Sequence, residues 1–271
     1  METYIPTVGW TVQQDLSHPQ YEEKIKAACQ VQQFGFQTLK VYPFDPVLPN
    51  MHMWKHNIFY GSVSFNNLVS TDTFLRKGVF FDPVTFSMKN YLRKWNDHML
   101  SSEAKVTSFA ELMSEQYPPD KLLFIRPDDD SKSFSGTTKS FHEISAWYEE
   151  LKMYDNTNLT LDSPIIVGEP YSIAAEWRLW IVNKKVVASS RYRRYFKLDV
   201  DPNCPTEVIS FAEQRCKEYV PHDIFVMDVC ISGDQFYILE CGCMNAAGLY
   251  AADVHAIVTA VTEFVTCSKT V

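Results

Sequence analysis

The stretch that most constrains this chain is residues 225–250, FVMDVCISGDQFYILECGCMNAAGLY. Apolar residues fill two arms and Ser232-Gly233-Asp234 separates them, the pattern of a buried β-hairpin with a tight turn. Two acids interrupt it, Asp228 in the first arm and Glu240 at the end of the second. If the arms pair about Gly233, position 228 faces 238, and Glu240 lies one same-face step beyond. Both carboxylates then converge on one edge of the sheet. Buried anions need compensation, and a hard divalent cation bound through oxygens is one solution. Exposure at a strand end, or a basic neighbour, is the other.

With 271 residues, 46% of them hydrophobic and 14% aromatic, the chain can bury a large core as one domain or as packed subdomains. Its formal net charge of −8 speaks against nucleic acid as the main partner, although Arg191, Arg193 and Arg194 form a local basic run. No apolar run is long enough to span a membrane, and the first residues carry no secretion signal. Seven cysteines without framework spacing fit reduced thiols in the cytoplasm. Cys241 and Cys243 alone would under-ligate zinc.

Taken in order, residues 38–42, 58–60 and 79–81 read as short strands and residues 22–33 as a helix. Tyr60-Gly61-Ser62 suits a turn leaving a strand. His52 and His56 are four apart but lack the acid of a zinc-protease motif. Residues 88–99 and 108–116 read as helices; Thr107 or Ser108 caps the second, with Glu111 placed for a capping box. Residues 122–125 form a strand ended by Arg126-Pro127. A loop of small polar residues follows, containing Lys132, Phe134 and Gly136, where backbone amides can approach an anion. The spacing of a Walker loop is absent.

Residues 142–153 have helical periodicity, and residues 164–171 form a strand stopped by Glu169-Pro170. Residues 175–188 form a hairpin with Asn183-Lys184 at its tip. Glu176, Arg178 and Trp180 share one face of its first arm, and Trp177, Leu179 and Ile181 the other. Arg191 and Arg193 share a face of the second arm. Residues 208–219 make an amphipathic helix.

In this order the pieces resemble the ATP-grasp superfamily over about residues 86–255. The match is closest to a phage and bacterial branch with the pattern F-[IV]-R-P-x-x-D-x-K-x-F-x-G, which reads FIRPDDDSKSFSG at residues 124–136. The resemblance implies an α+β fold in which two α+β subdomains (86–165 and 166–271) clamp a nucleotide, preceded by a small α/β lobe (1–85). It implies ATP and Mg²⁺ as cofactors. Arg126 would touch a nucleotide phosphate, and Lys132 with Phe134 and Gly136 would close over the phosphates. Val167 and Glu169 would lie at the adenine edge, and Glu176 at the ribose.

In the same scheme Arg178 and Arg193, with Lys132, would face the transferred phosphoryl group. Asp228 and Glu240 would hold the metal. The family ends on Glu-x-Asn, but here the third position is Gly242, which has no ligand atom; Asn245 is the substitute within reach along the chain. Gly248-Leu249-Tyr250 fits the branch's Gly-x-Tyr ending. The implied activity is ATP-dependent joining of a carboxylate to an amine through an acyl-phosphate. Its partners would be ATP and carboxylate and amine substrates, as small molecules, peptides or protein tails, with neither nucleic acid nor membrane. A phosphotransferase, or a nucleotide-binding module with weakened catalysis, is the alternative.

Overall fold

The computed structural model describes residues 6–16, 18–42, 45, 47–129, 133–153 and 159–267. The chain begins with β1 (Val8–Gln13), α1 (Pro19–Val31), β2 (Gly35–Leu39) and β3 (His56–Tyr60). These strands form a parallel sheet in the order β2-β1-β3. β1 is almost wholly buried, so its sequence VGWTVQ lacks the apolar–polar alternation of a half-exposed strand. α2 (Val63–Ser70) follows, with the Ser62 hydroxyl accepting from the amide of Phe65 as its N-cap. Residues 79–81, read as a strand from their composition, form no ladder. A 3₁₀ turn at Leu75–Gly78 precedes them, and the Phe80 amide donates to the side chain of Asn245 at 2.7 Å.

Next come α3 (Met88–Trp95), β4 (Lys105–Ser108), α4 (Phe109–Leu112), β5 (Leu122–Pro127), β6 (Thr137–Ser140), α5 (Phe141–Met153) and β7 (Pro164–Gly168). Ser108 does cap α4, through the Glu111 amide, but that helix stops after one turn. The four strands form an antiparallel sheet in the order β4-β7-β5-β6, with α4 and α5 packed on it through Phe109, Leu112 and Ile144.

The last segment holds β8 (Ala175–Val182), β9 (Lys185–Arg194), β10 (Lys197–Asp201), α6 (Thr206–Glu218), β11 (Ile224–Ser232), β12 (Gln235–Gly242) and α7 (Val254–Cys267). Its antiparallel sheet runs β10-β9-β8-β11-β12. Asn183 and Lys184 both take positive φ (49° and 65°), the geometry a two-residue hairpin turn requires. Gly233 turns the second hairpin at φ 59°. Among the described residues no helix is long and apolar enough to cross a membrane, and all seven cysteines are free.

The five-stranded sheet is covered on both faces. Trp177, Leu179, Ile181, Phe225 and Met227 pack against α3 and α6. Trp180, Val182, Ile224 and Val226 share a second core with α7, α1 and the N-terminal sheet. The indole of Trp10 in β1 donates to Thr262 in α7 at 2.9 Å. The lobes are therefore joined by a common core.

Asn245 fastens the same junction. Its Nδ2 donates to the carbonyls of Phe59 (2.6 Å) and Gly78 (2.8 Å), its Oδ1 accepts from Phe80, and its own carbonyl accepts from the Gly61 amide at 2.8 Å. The side chain is fully buried and its bonding capacity is spent on backbone. The structure does not bring it to the acids, so the expectation of Asn245 as a metal ligand fails on geometry. Asn245→Ala strands two buried carbonyls and an amide and should cost on the order of 3 kcal/mol. Urea denaturation measures this, and a loss under about 1 kcal/mol would mean that water replaces the amide.

Candidate active site

The face of β8 that packs on α7 at Trp180 continues past that cover to Arg178 and Glu176 and there borders a cavity of about 630 Å³. That volume lies in the range of small-molecule sites. β5 and β6 wall one side through Phe124, Arg126, Gly136, Thr137 and Thr138. The five-stranded sheet walls the other through Glu176, Arg178, Tyr192, Arg193, Asp228 and Glu240. Tyr171 and Ile173, from the connection after β7, and Tyr250 complete it.

Two β-bulges aim the polar side chains. In the β11–β12 ladder Val229 faces Ile238, yet Asp228 faces Glu240, so Leu239 is the extra residue. The turn alone would put Asp228 opposite Leu239; the bulge makes the two acids direct neighbours. On its other side Asp228 faces Arg178. One transverse row therefore reads Arg178, Asp228, Glu240 across three strands. In the β8–β9 ladder Glu176 faces Arg193 while Trp177 faces Arg191, which makes Tyr192 the extra residue. The two arginines expected to share a face are thus parted. Arg193 joins Glu176 at 3.9 Å, and Arg191 binds Asp199 (2.9 Å) and Asp201 (3.2 Å) on β10.

Like charges on facing strand positions repel, so each acid has a counter-ion. Arg178 grips Asp228 with two bonds, Nε to Oδ1 and Nη2 to Oδ2, both 2.8 Å. The Tyr192 hydroxyl donates to Oδ2 at 3.1 Å. Tyr192 and Tyr250 stack 5.1 Å apart beside the Arg178 guanidinium, which lies 5.6 and 5.4 Å from their ring centres. Burial depresses Arg178, but the Asp228 carboxylate outweighs it and holds the guanidinium well above its ordinary pKa. Desolvation raises Asp228, only 1% exposed, against the pull of Arg178. Glu240 reaches Arg126 of β5 at 2.7 Å, which links the two sheets across the cavity. The end of β5 is itself fixed: Asp128 accepts from the Lys89 amide (2.6 Å) and the Ser87 hydroxyl (2.7 Å) at the start of α3.

The structure also places the remaining expected residues. Phe134 lines the cavity but wedges its ring against Phe109 and Trp147, which anchors the loop to the outer core. Gly136 lies against Phe124, whose ring a Cβ there would meet at 2.8 Å, so a larger residue would push the loop off β5. Lys132 lies outside the described residues. Val167 sits in β7 between Lys105 and Ile125 and is buried in the core, with no free strand edge to offer a ligand. Glu169 is exposed and paired with Lys121 at 2.7 Å. Neither borders the cavity; Tyr171 and Ile173, which sequence reasoning missed, do so from that connection.

As for a cation, the fit rests on the donor set. Asp228 and Glu240 supply only oxygen and face each other on the cavity wall. Among the described residues no third His, Cys, Asp or Glu joins them as a metal cluster. That suits Mg²⁺, which takes one or two carboxylates and completes its shell from phosphates and water.

Residues 101–260 match a sequence family described as an ATP-grasp domain, the second family of its clade. The chain belongs to this family. Solved structures agree on the ATP-grasp fold. An ATP-grasp RimK domain protein from Sphaerobacter thermophilus superposes with a TM-score of 0.58 at 11% identity, covering 95% of this chain and 99% of that one. The ATP-grasp ligase PsnB with its minimal precursor gives 0.57 at 11% identity, covering 96% and 99%. PsnB with precursor peptide PsnA2 and AMPPNP gives 0.53 at 11%, covering 92% and 91%. A comparison with curated proteins found no match.

Burial of Glu176 in this ATP-grasp site raises its pKa above the ordinary 4.5, against a hydrogen bond from Tyr192 and the charge of Arg193. A carboxyl with a raised folded pKa holds its proton more tightly in the folded chain. Its contribution to stability is greatest below the unfolded pKa, falls as pH rises through the folded value, and is constant above it. Glu176→Gln should remove that decline. Urea unfolding of both proteins from pH 4 to 8 gives the difference curve, and identical slopes would place the proton uptake elsewhere.

Proposed function

We propose that this ATP-grasp protein is an ATP-dependent ligase that joins a carboxylate to an amine through an acyl-phosphate. The observation that carries the reading is the row Arg178, Asp228, Glu240, completed by Arg126 from the opposite sheet, on the wall of a nucleotide-sized cavity. In such a reaction a substrate carboxylate oxygen attacks the γ-phosphorus of ATP and ADP leaves. The amine then attacks the acyl carbon, phosphate departs with the C–O electron pair, and the amine gives up a proton.

The chain's part is to position the reactants and to offset charge. Arg126 and Arg178 hold carboxylates here with the same planar fork that suits phosphate oxygens, so they are the residues poised to pass to the nucleotide. Asp228 and Glu240, relieved of those arginines, would hold Mg²⁺, which supplies charge neutralisation on the phosphates. Arg193 and the Lys132 ammonium would face the transferred group, and buried Glu176 the ribose. Phe134 and Gly136 would set the loop over the phosphates. No side-chain nucleophile is needed. The cysteines agree with this: burial pushes the Cys29 thiol up to about 12 and raises Cys230 above its ordinary range. PsnB is described with a precursor peptide, which favours a peptide or protein as one substrate here.

One observation favours a second reading, a nucleotide-binding module with weakened catalysis. Gly242 lines a recess of about 30 Å³ beside Arg178, Asp228 and Glu240, where the family has an Asn side chain. That space accommodates about one water.

The test is Mg²⁺-dependent ADP release with mixtures of amino acids and peptides, followed by hydroxylamine trapping of the acyl-phosphate. Glu240→Gln should lower ADP release by about 100-fold or more while unfolding stays cooperative. Undiminished release in that variant would remove Glu240 from the mechanism.

A further inference from the structure

We propose that the outer edge of β10 is the docking strand for a peptide substrate, an extended acidic segment that pairs with this edge and leads into the cavity. This rests on the ligase reading and names the substrate class for the same site.

The five-stranded sheet has two edges, and they are treated differently. The β12 edge is covered: the Leu100 amide donates to the Ile238 carbonyl at 2.9 Å, and Met99 bridges the same residue. Along β10 no strand pairs on the outer side among the described residues. A bare edge invites pairing, and proteins commonly blunt it with proline, a bulge or a covering segment. Here it carries apolar groups instead. Leu198 is 74% exposed and Val200 44%, and the two share a face by the strand period.

The turn that starts this strand is unusual in the same direction. Tyr195 and Phe196 both take positive φ (47° and 63°), a conformation that Asn and Gly adopt cheaply and aromatic residues do not. Both rings are more than 60% exposed. The sister turn at Asn183-Lys184 has ordinary turn residues and borders no cavity. Phe196 lines the cavity together with Tyr192 and Arg193. A strained pair of exposed aromatics thus stands where the edge strand meets the site.

Charge selects the occupant. The acids of β10, Asp199 and Asp201, are already held by Arg191. Arg194 and Lys197 are exposed and have no acidic partner among the described residues, and Arg193 is half-exposed. In a chain of net charge −8 this hairpin is a local positive ridge. An extended peptide gains main-chain hydrogen bonds from the edge, seats alternate apolar side chains on Leu198 and Val200, and sets acids against Arg194 and Lys197. A second copy of this chain would bring the same positive ridge against itself.

The experiment uses the full chain and a pool of ten-residue peptides with Asp or Glu at alternate positions and randomised residues between. Capture is followed by fluorescence anisotropy of the enriched peptide, without nucleotide. Enrichment over a matched Lys/Arg pool is expected, with slowed hydrogen exchange at residues 195–201. The double variant Lys197→Glu/Leu198→Asp should weaken binding at least about tenfold, as should Val200→Lys, which keeps the strand's charge pattern otherwise intact. No enrichment, equal capture of the basic pool, or unchanged affinity in both variants overturns the proposal. So does light scattering that shows β10 buried in a dimer. Peptide binding is read without ATP, and ADP release is read separately. Failure of the ligase reading therefore shows in the second measurement alone.

Discussion

Two negative charges cannot occupy facing positions on adjacent strands unless something holds them there. In this chain the restraint is a pair of arginines, one from the next strand and one from another sheet. Arg178 saturates Asp228 from within the five-stranded sheet, and Arg126 crosses the cavity to Glu240. A buried ion pair adds little net stability over an apolar pair, because desolvation offsets the attraction. Its retention points to use. The same four side chains form a balanced set that a triphosphate and a divalent cation can enter by exchange of partners, without leaving a charge uncompensated.

The arrangement depends on two extra residues. Leu239 moves Glu240 opposite Asp228, and Tyr192 turns its phenol toward the same carboxylate while sending Arg191 away to β10. Fixing the row also needs both faces of the sheet to be held. α3 and α6 close one side; α7, α1 and the N-terminal sheet close part of the other and leave the remainder as cavity wall. Asp128 ties the end of β5 to α3, so Arg126 comes from a strand whose end is fixed.

The hairpins were legible because turn chemistry and alternation agree: Asn183-Lys184 and Gly233 sit between arms with the two-residue period. The acids of the site could be read from their apolar surroundings, and the order of motifs pointed to ATP-grasp. Bulges were not legible, since an inserted residue leaves no compositional mark, and both errors of register trace to them. β1 was missed because a strand buried on both faces has no alternation. Residues 79–81 looked like a strand because Val-Phe-Phe suits one, yet their amide is claimed by Asn245. That side chain was read as a ligand because its role depends on partners more than 160 positions away. Tyr171 and Ile173 carry no signal beyond following Glu169-Pro170.

The shared core of the lobes has a consequence for how the molecule is made. The indole of Trp10 finds its partner 252 positions later, in the final helix, and α1 packs on that same helix. Contacts of such separation form late, after long loops have closed. On the ribosome the opening strands therefore emerge with their apolar side uncovered and must wait for the whole chain. During that interval the newborn N-terminal segment is the part most in need of a chaperone.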